Sequence, residues 1–216
     1  TKVMVTAGED LSIKVWRIDS SSLSLLASTE DAHTDSISSL CVDGKSGTVV
    51  SSCGDGTVVV WQIMGDALVR LAEVEKAHEG FVAVQYDAST RTLISGGGDG
   101  NIKAWKFMGS DLVCLATLEA CHTAGIQYLQ YDPATGLVLT GDVGGALCSS
   151  FFADGAFQAG SKVKNAHRTR MYAMQYDAPS RIAVTAGADN KLFAWKVAPT
   201  GHMTMEAGTL EKLSKV

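Results

Sequence analysis

Helical periodicity is missing from this chain of 216 residues. No stretch sustains apolar residues at the spacing of one helical face, so helical fold classes are excluded. No apolar run approaches the roughly 20 residues that a membrane-spanning helix needs, and no membrane span is expected. No signal-peptide pattern opens the chain, and Thr1 reads as a processing boundary. The five cysteines, Cys41, Cys53, Cys114, Cys121 and Cys148, are odd in number and include no C-x-x-C. A disulfide framework or a zinc site therefore finds no support in their spacing. Each is expected as a small buried apolar residue. No Asn-x-Ser/Thr sequon occurs. The cysteine usage and the missing sequon fit a reducing compartment, and a cytoplasmic location is expected. Basic residues are not in excess. The net charge is −5, which argues against nucleic acid as a partner, because that binding rests on Lys and Arg.

What is present is ordinary for a globular protein: 46% apolar and 19% charged residues. The length allows a sizeable core in one large or two small domains. The informative feature is a repeat. Tryptophans stand at Trp16, Trp61, Trp105 and Trp195, spaced by 45, 44 and 90 residues. Six residues before each is an Asp: Asp10, Asp55, Asp99 and Asp189. Four before each Asp is a hydroxyl: Thr6, Ser51, Ser95 and Thr185. Seventeen after the first three tryptophans stands a His, namely His33, His78 and His122, and His167 keeps the step of 45. Such phase over a whole chain marks a repeat architecture.

Each unit reads as all-β. An apolar strand follows each His (ISSLCV, FVAVQY, IQYLQY, MYAMQY). Turn-rich segments such as DASTR and DPATG come next, then a second strand, a tight Asp-Gly or similar turn, and a third strand closing on Trp. A weaker run before the next His makes a fourth. Four strands per unit of about 45 residues is the pattern of a propeller blade. Approximate units are 1–33, 34–78, 79–122, 123–167 and 168–216.

The hydroxyl, Asp, Trp and His in this phase resemble the WD-repeat (Trp-Asp repeat) β-propeller family, over essentially the entire chain. The departure is at the Trp-Asp dipeptide itself, where Arg17, Gln62, Lys106 and Lys196 follow the tryptophans. The resemblance implies an all-β propeller of four-stranded antiparallel blades. About five repeats are present, and part of a seven-bladed propeller is expected, because the family most often has seven. A five-bladed ring with an incomplete first blade is the alternative. The chain holds about 4.8 units, and Lys2–Ala7 already reads as a second strand. The final run, HMTMEAGTLEKLSKV, looks like a fourth strand.

Ser or Thr, His and Asp recurring together suggest a hydrolytic triad. A protein needs one such site, not a copy per blade, and no G-x-S-x-G elbow occurs. The resemblance implies another role: a buried hydrogen-bond chain that satisfies polar groups and pins the turn to the blade. Its expected members are Thr6, Asp10, Trp16, His33, Ser51, Asp55, Trp61, His78, Ser95, Asp99, Trp105, His122, Thr140, His167, Thr185, Asp189 and Trp195. The four periodic histidines would lie on different blades, too far apart for one zinc ion. The stretch ISGGGDGNIKAW (94–105) is no phosphate cradle, since it opens no helix and lacks the P-loop Lys. No catalytic residue, metal ligand or cofactor is expected.

The unit 123–167 departs most. Its Asp position is Gly144 and its Trp position Ser150, while His122 and Thr140 survive. Two readings stay open: drift of a blade held by good neighbours, with a Phe filling the Trp volume, or a blade freed to bind something.

Function is then expected in loops on a rigid scaffold. The reading is a non-catalytic scaffold that binds proteins or peptides through its loop-rich face. The alternative is a docking or regulatory module of a larger enzyme or lipid-binding protein. Lys162, Lys164, Arg168 and Arg170 cluster in an otherwise acidic chain. Arg168, Arg170 and Tyr172 are candidates for an acidic peptide, because Arg favours bidentate carboxylate contacts. Asp35, Glu79 and Phe81 occupy the equivalent loops elsewhere, so the face is asymmetric in charge.

Overall fold

The computed structural model describes residues 2–208. Thr1 and residues 209–216, which include the end of the fifth unit and of the HMTMEAGTLEKLSKV run, lie outside the described residues. The described residues form nineteen strands in five antiparallel sheets and no helix.

The first sheet has three strands, β1 (Lys2–Ala7), β2 (Ile13–Ile18) and β3 (Leu23–Thr29). The second has β4 (Ile37–Asp43), β5 (Thr48–Cys53), β6 (Val58–Met64) and β7 (Ala67–Val74). The third has β8 (Val82–Asp87), β9 (Thr92–Gly97), β10 (Ile102–Phe107) and β11 (Leu112–Leu118). The fourth has β12 (Ile126–Asp132), β13 (Leu137–Asp142), β14 (Leu147–Ala153) and β15 (Ala156–Val163). The fifth has β16 (Met171–Asp177), β17 (Ile182–Gly187), β18 (Leu192–Val197) and β19 (Met203–Gly208). Each sheet is a meander in chain order. Among the described residues the first sheet has no strand at the place that β4, β8, β12 and β16 fill in the others.

The apolar pattern explains the layering. The second strands β5, β9 and β13 are buried on both faces, whereas outer strands such as β7 and β15 alternate. Residues buried on both faces need a sheet on either side. The cores accordingly lie between consecutive sheets. Ile13 meets Val49, Val59 and Trp61 between the first and second. Val50 and Val60 meet Val84, Leu93 and Trp105 between the second and third. Ile94 and Ile102 meet Ile126, Val138 and Phe152 between the third and fourth. Leu139 and Leu147 meet Met171, Phe193 and Trp195 between the fourth and fifth.

A register shift recurs where the Trp-bearing strand pairs with the strand after it, at Val15/Trp16, Val60/Trp61, Ala104/Trp105 and Ala194/Trp195. A bulge re-aims a side chain, and here it turns each indole back toward its hydroxyl. The fourth sheet keeps the shift at Cys148/Ser150 although no Trp stands there. Phe152, on the same strand face as Ser150, fills the junction together with Phe157, their rings 5.1 Å apart.

Candidate functional site

With each His counted in the sheet that its loop enters, the third and fifth units carry the full hydrogen-bond chain. Trp105 Nε1 donates to Ser95 Oγ at 2.8 Å, His78 Nε2 meets the same oxygen at 2.8 Å, and His78 Nδ1 meets Asp99 at 3.0 Å. In the fifth, Trp195, Thr185, His167 and Asp189 repeat this with 2.9, 2.8 and 2.9 Å. Since the indole is only a donor, the hydroxyl proton goes to Nε2, and Nδ1–H is left for the carboxylate. Ser95, Thr185 and both histidines are buried. A hydroxyl enclosed by an indole and an imidazole cannot reach a substrate, so the chain fastens the turn.

The other units depart, and one position decides how. Two residues after the hydroxyl stand Gly97 and Gly187 in the complete units, but Cys53 and Asp142 in the second and fourth. A Cβ on Gly97 would lie 2.3–2.4 Å from His78 ring atoms, and one on Gly187 would lie 2.4 Å from His167 Nδ1. Glycine is what lets the ring reach the Asp.

In the second unit Cys53 is there instead. His33 Nε2 keeps Ser51 at 2.6 Å, and Trp61 Nε1 donates to Ser51 at 2.8 Å. His33 Nδ1, however, has no partner among the described residues. The expected link from His33 to Asp55 is therefore corrected: Asp55 accepts from Cys53 Sγ at 2.8 Å, Thr34 Oγ1 at 2.5 Å and the Thr57 amide at 2.8 Å. Burial and the Asp55 contact push the Cys53 thiol up to about 11, so it stays protonated and donates.

In the fourth unit the position holds Asp142, and its own carboxylate takes the imidazole: His122 Nδ1 to Asp142 Oδ2 is 2.8 Å, and His122 Nε2 to Thr140 is 2.8 Å. Gly144, the residue in phase with the other carboxylates, is thus not the site of a lost link. The carboxylate has moved two residues back, and what is missing is the indole. Ser150 Oγ, buried where the Trp would stand, has no partner among the described residues. In the first unit Trp16 reaches Thr6 at 2.8 Å. Asp10 meets no His among the described residues, and binds Lys14 and Ser12 instead, which holds its carboxyl at about 2.

These environments set an acid response. Burial holds His33 and His78 below the usual imidazole range, although Asp99 pulls His78 the other way. The unfolded chain then binds protons first, so stability falls as pH drops below about 6.5. Burial raises Asp99, Asp142 and Asp189, but hydrogen bonds from backbone amides and imidazoles outweigh it and hold all three low. Their contribution is present above about pH 3.8 and is lost as pH falls through their lower folded values. Urea midpoints between pH 8 and 5 should decline with pH below about 6.5. A flat profile there would contradict the neutral, buried state of these imidazoles.

Beside the fourth unit's chain lie two of the cysteines. The residue before each His is Ala32, Ala77 or Ala166, but Cys121 before His122. Cys148 is buried on β14, its Sγ 4.0 Å from His122 Nδ1 and 3.2 Å from the Cys121 carbonyl. The ligand atoms of Cys121, His122 and Cys148 all lie within 4.8 Å of one another. The neighbouring Cys148 outweighs burial and, with the nearby His122 and Lys162, holds the Cys121 thiol below the usual thiol range, while Cys148 is pushed up. Spacing carries no warning of the cluster, since the two cysteines are 27 positions apart. Cys114, expected buried, is exposed on the outer strand β11.

The loops before and within the blades meet at one end. Gly54 N donates to Ser36 O, Gly98 N to Phe81 O, Val143 N to Gly125 O and Ala188 N to Arg170 O, all at 2.8–3.0 Å. Asp35 and Glu79 are exposed there, and Phe81 is half-buried with its ring against Gly125. Arg168 and Arg170 are exposed; Arg170 donates to Gln127 Oε1 at 3.1 and 3.3 Å, and the Arg168 amide to Asp189. Tyr172 is 60% exposed beside them.

Residues 24–62 and 70–106 match the family model of the WD domain, G-beta repeat. These two stretches are WD repeats. No curated protein matches it in sequence. Among solved structures, Chaetomium thermophilum Sqt1 superposes with a TM-score of 0.77 at 15% identity, over 95% of this chain and 56% of that one. The crystal structure of Chaetomium thermophilum Sqt1 bound to the N-terminus of the ribosomal protein L10 gives 0.78 at 15% identity, over 95% and 57%. The chain thus spans just over half the length of these neighbours. The likeness is one of fold, without close sequence kinship.

Proposed function

We propose that these WD repeats form a non-catalytic scaffold that docks a protein or peptide on the loop-rich end, in a reducing compartment such as the cytoplasm. The observation that carries this reading is the charge asymmetry of that end. Asp35 and Glu79 stand on the second and third units, while Arg168 and Arg170 stand on the fifth. The loops are tied down by repeated backbone bonds, so the charges sit on a rigid frame, as selective docking requires. A solved structure of the same fold with a ribosomal protein's N-terminus bound supports a peptide as ligand.

The partner is expected to be acidic where it meets Arg168, Arg170 and Tyr172. Exposed Arg–carboxylate pairs are worth up to about 1 kcal/mol each. Reversing both arginines to Glu should therefore weaken capture of the partner by about tenfold or more at low ionic strength. The check is a pull-down with the full-length protein, wild type against Arg168→Glu/Arg170→Glu. Equal recovery of the same partner from both would overturn the assignment of these residues.

A further inference from the structure

We propose that Cys121, His122 and Cys148 form a zinc site with one coordination position open to the adjoining pocket. Three donors of the type that zinc prefers converge here, and Cys121 replaces the Ala that precedes the other three periodic histidines. A Cys2His set plus an open position is a recognised zinc arrangement. Zinc bonds of about 2.0–2.3 Å place a sulfur and a nitrogen ligand about 3.5 Å apart. Cys148 Sγ and His122 Nδ1 are 4.0 Å apart, so a contraction of side chains alone suffices. The pocket beside them has a volume of about 220 Å³ and is lined by Cys121, Cys148, Ser149, Ser161 and Lys162, leaving room for water as the fourth ligand.

The missing tryptophan makes the imidazole available. In the third and fifth units the indole obliges the hydroxyl to donate to Nε2, which leaves the proton on Nδ1. In the fourth unit no indole reaches Thr140 among the described residues. Thr140 Oγ1 is free to accept from Nε2–H at 2.8 Å. His122 then presents a bare Nδ1 to the cation. The bond from Nδ1 to Asp142 is given up, but Asp142 retains the Ala146 amide at 2.8 Å and stays beside the positive charge. The imidazole proton moves from Nδ1 to Nε2, and the two thiols release their protons on binding. Lys162, bonded to the Cys121 carbonyl at 2.7 Å, offsets the charge of the second thiolate.

The test uses the reduced protein with Zn²⁺ and, as a coloured stand-in, Co²⁺. One equivalent of Co²⁺ should produce a thiolate-to-metal charge-transfer band that Zn²⁺ bleaches. Zn²⁺ should shield two thiols from alkylation, identified by mass spectrometry as Cys121 and Cys148. Cys121→Ala restores the residue that precedes His in the other repeats, so its metal-free unfolding midpoint should match wild type. Its Zn²⁺ affinity should fall by more than the roughly 10–100-fold that losing an outer partner costs. Cys148→Ser should behave alike and serves if the first variant is unstable. No charge-transfer band, protection of Cys41 or Cys114 instead, or unchanged affinity in the stable variant would each overturn the proposal.

Discussion

Trp61→Ala is expected to cost about 3–5 kcal/mol of folding stability, the usual range for truncating a buried Trp. Trp61 is 2% exposed and sits in the core between the first and second sheets with Ile13, Val49 and Val59. Its loss removes that packing, the indole donor to Ser51 and the face under Arg70, whose guanidinium lies 4.9 Å from the ring. Arg70 also bonds the Ala32 carbonyl at 2.7 Å, next to His33, so the cavity would loosen the loop entering the second sheet. Trp61→Phe keeps most of the apolar volume and should cost about 1–2 kcal/mol, chiefly the donor. Urea unfolding of both variants separates packing from hydrogen bonding. Near-equal losses would mean that the chain, not the core, holds the sheet.

Gly97→Ala should cost about 1–3 kcal/mol, the penalty for leaving a buried polar group without a partner. The added methyl collides with the His78 ring, which must withdraw from Asp99 while keeping Ser95. Cys53 shows the outcome already realised in the second unit, where His33 retains Ser51 but leaves Nδ1 orphaned. The downfield Nδ1–H resonance of His78 should vanish in Gly97→Ala. Cys53→Gly should create the missing bond to Asp55 and stabilise the protein by less, since glycine in a strand costs about 0.5–1 kcal/mol of entropy. A neutral Gly97→Ala would refute the steric account of this position.

The repeat phase makes much of this legible in the sequence. Trp, hydroxyl and His recur because a bulge and a buried oxygen fix their separations, and fixed separations survive as spacing. The second position after the hydroxyl is different. Cys53, Gly97, Asp142 and Gly187 look like variation, and their effect depends on whether a Cβ fits under an imidazole from another loop. The displacement of the fourth unit's carboxylate from Gly144 to Asp142 is invisible for that reason. The pairing of Cys121 with Cys148 is likewise a product of folding, since one lies in the loop entering the fourth sheet and the other on its third strand.

The turns also bind forward. The Leu11 carbonyl accepts from Ala32 N at 2.8 Å, Gly100 O from His122 N at 3.1 Å and Gly145 O from His167 N at 3.0 Å. At Gly56 a Cβ would come 1.9 Å from the His78 carbonyl, so that junction is as tight. The loop that carries the histidine of one sheet is thus seated on the turn of the sheet before it. The cooperative element is therefore staggered against the visible sheets. Nearest-neighbour coupling in a repeat protein is usually assigned to apolar interfaces; here part of it is a backbone clasp. A cut placed between sheets severs such a clasp and deprives the next histidine of its seat. A cut placed after the histidine loop keeps loop and turn together, and divides the chain where its own hydrogen bonding divides it.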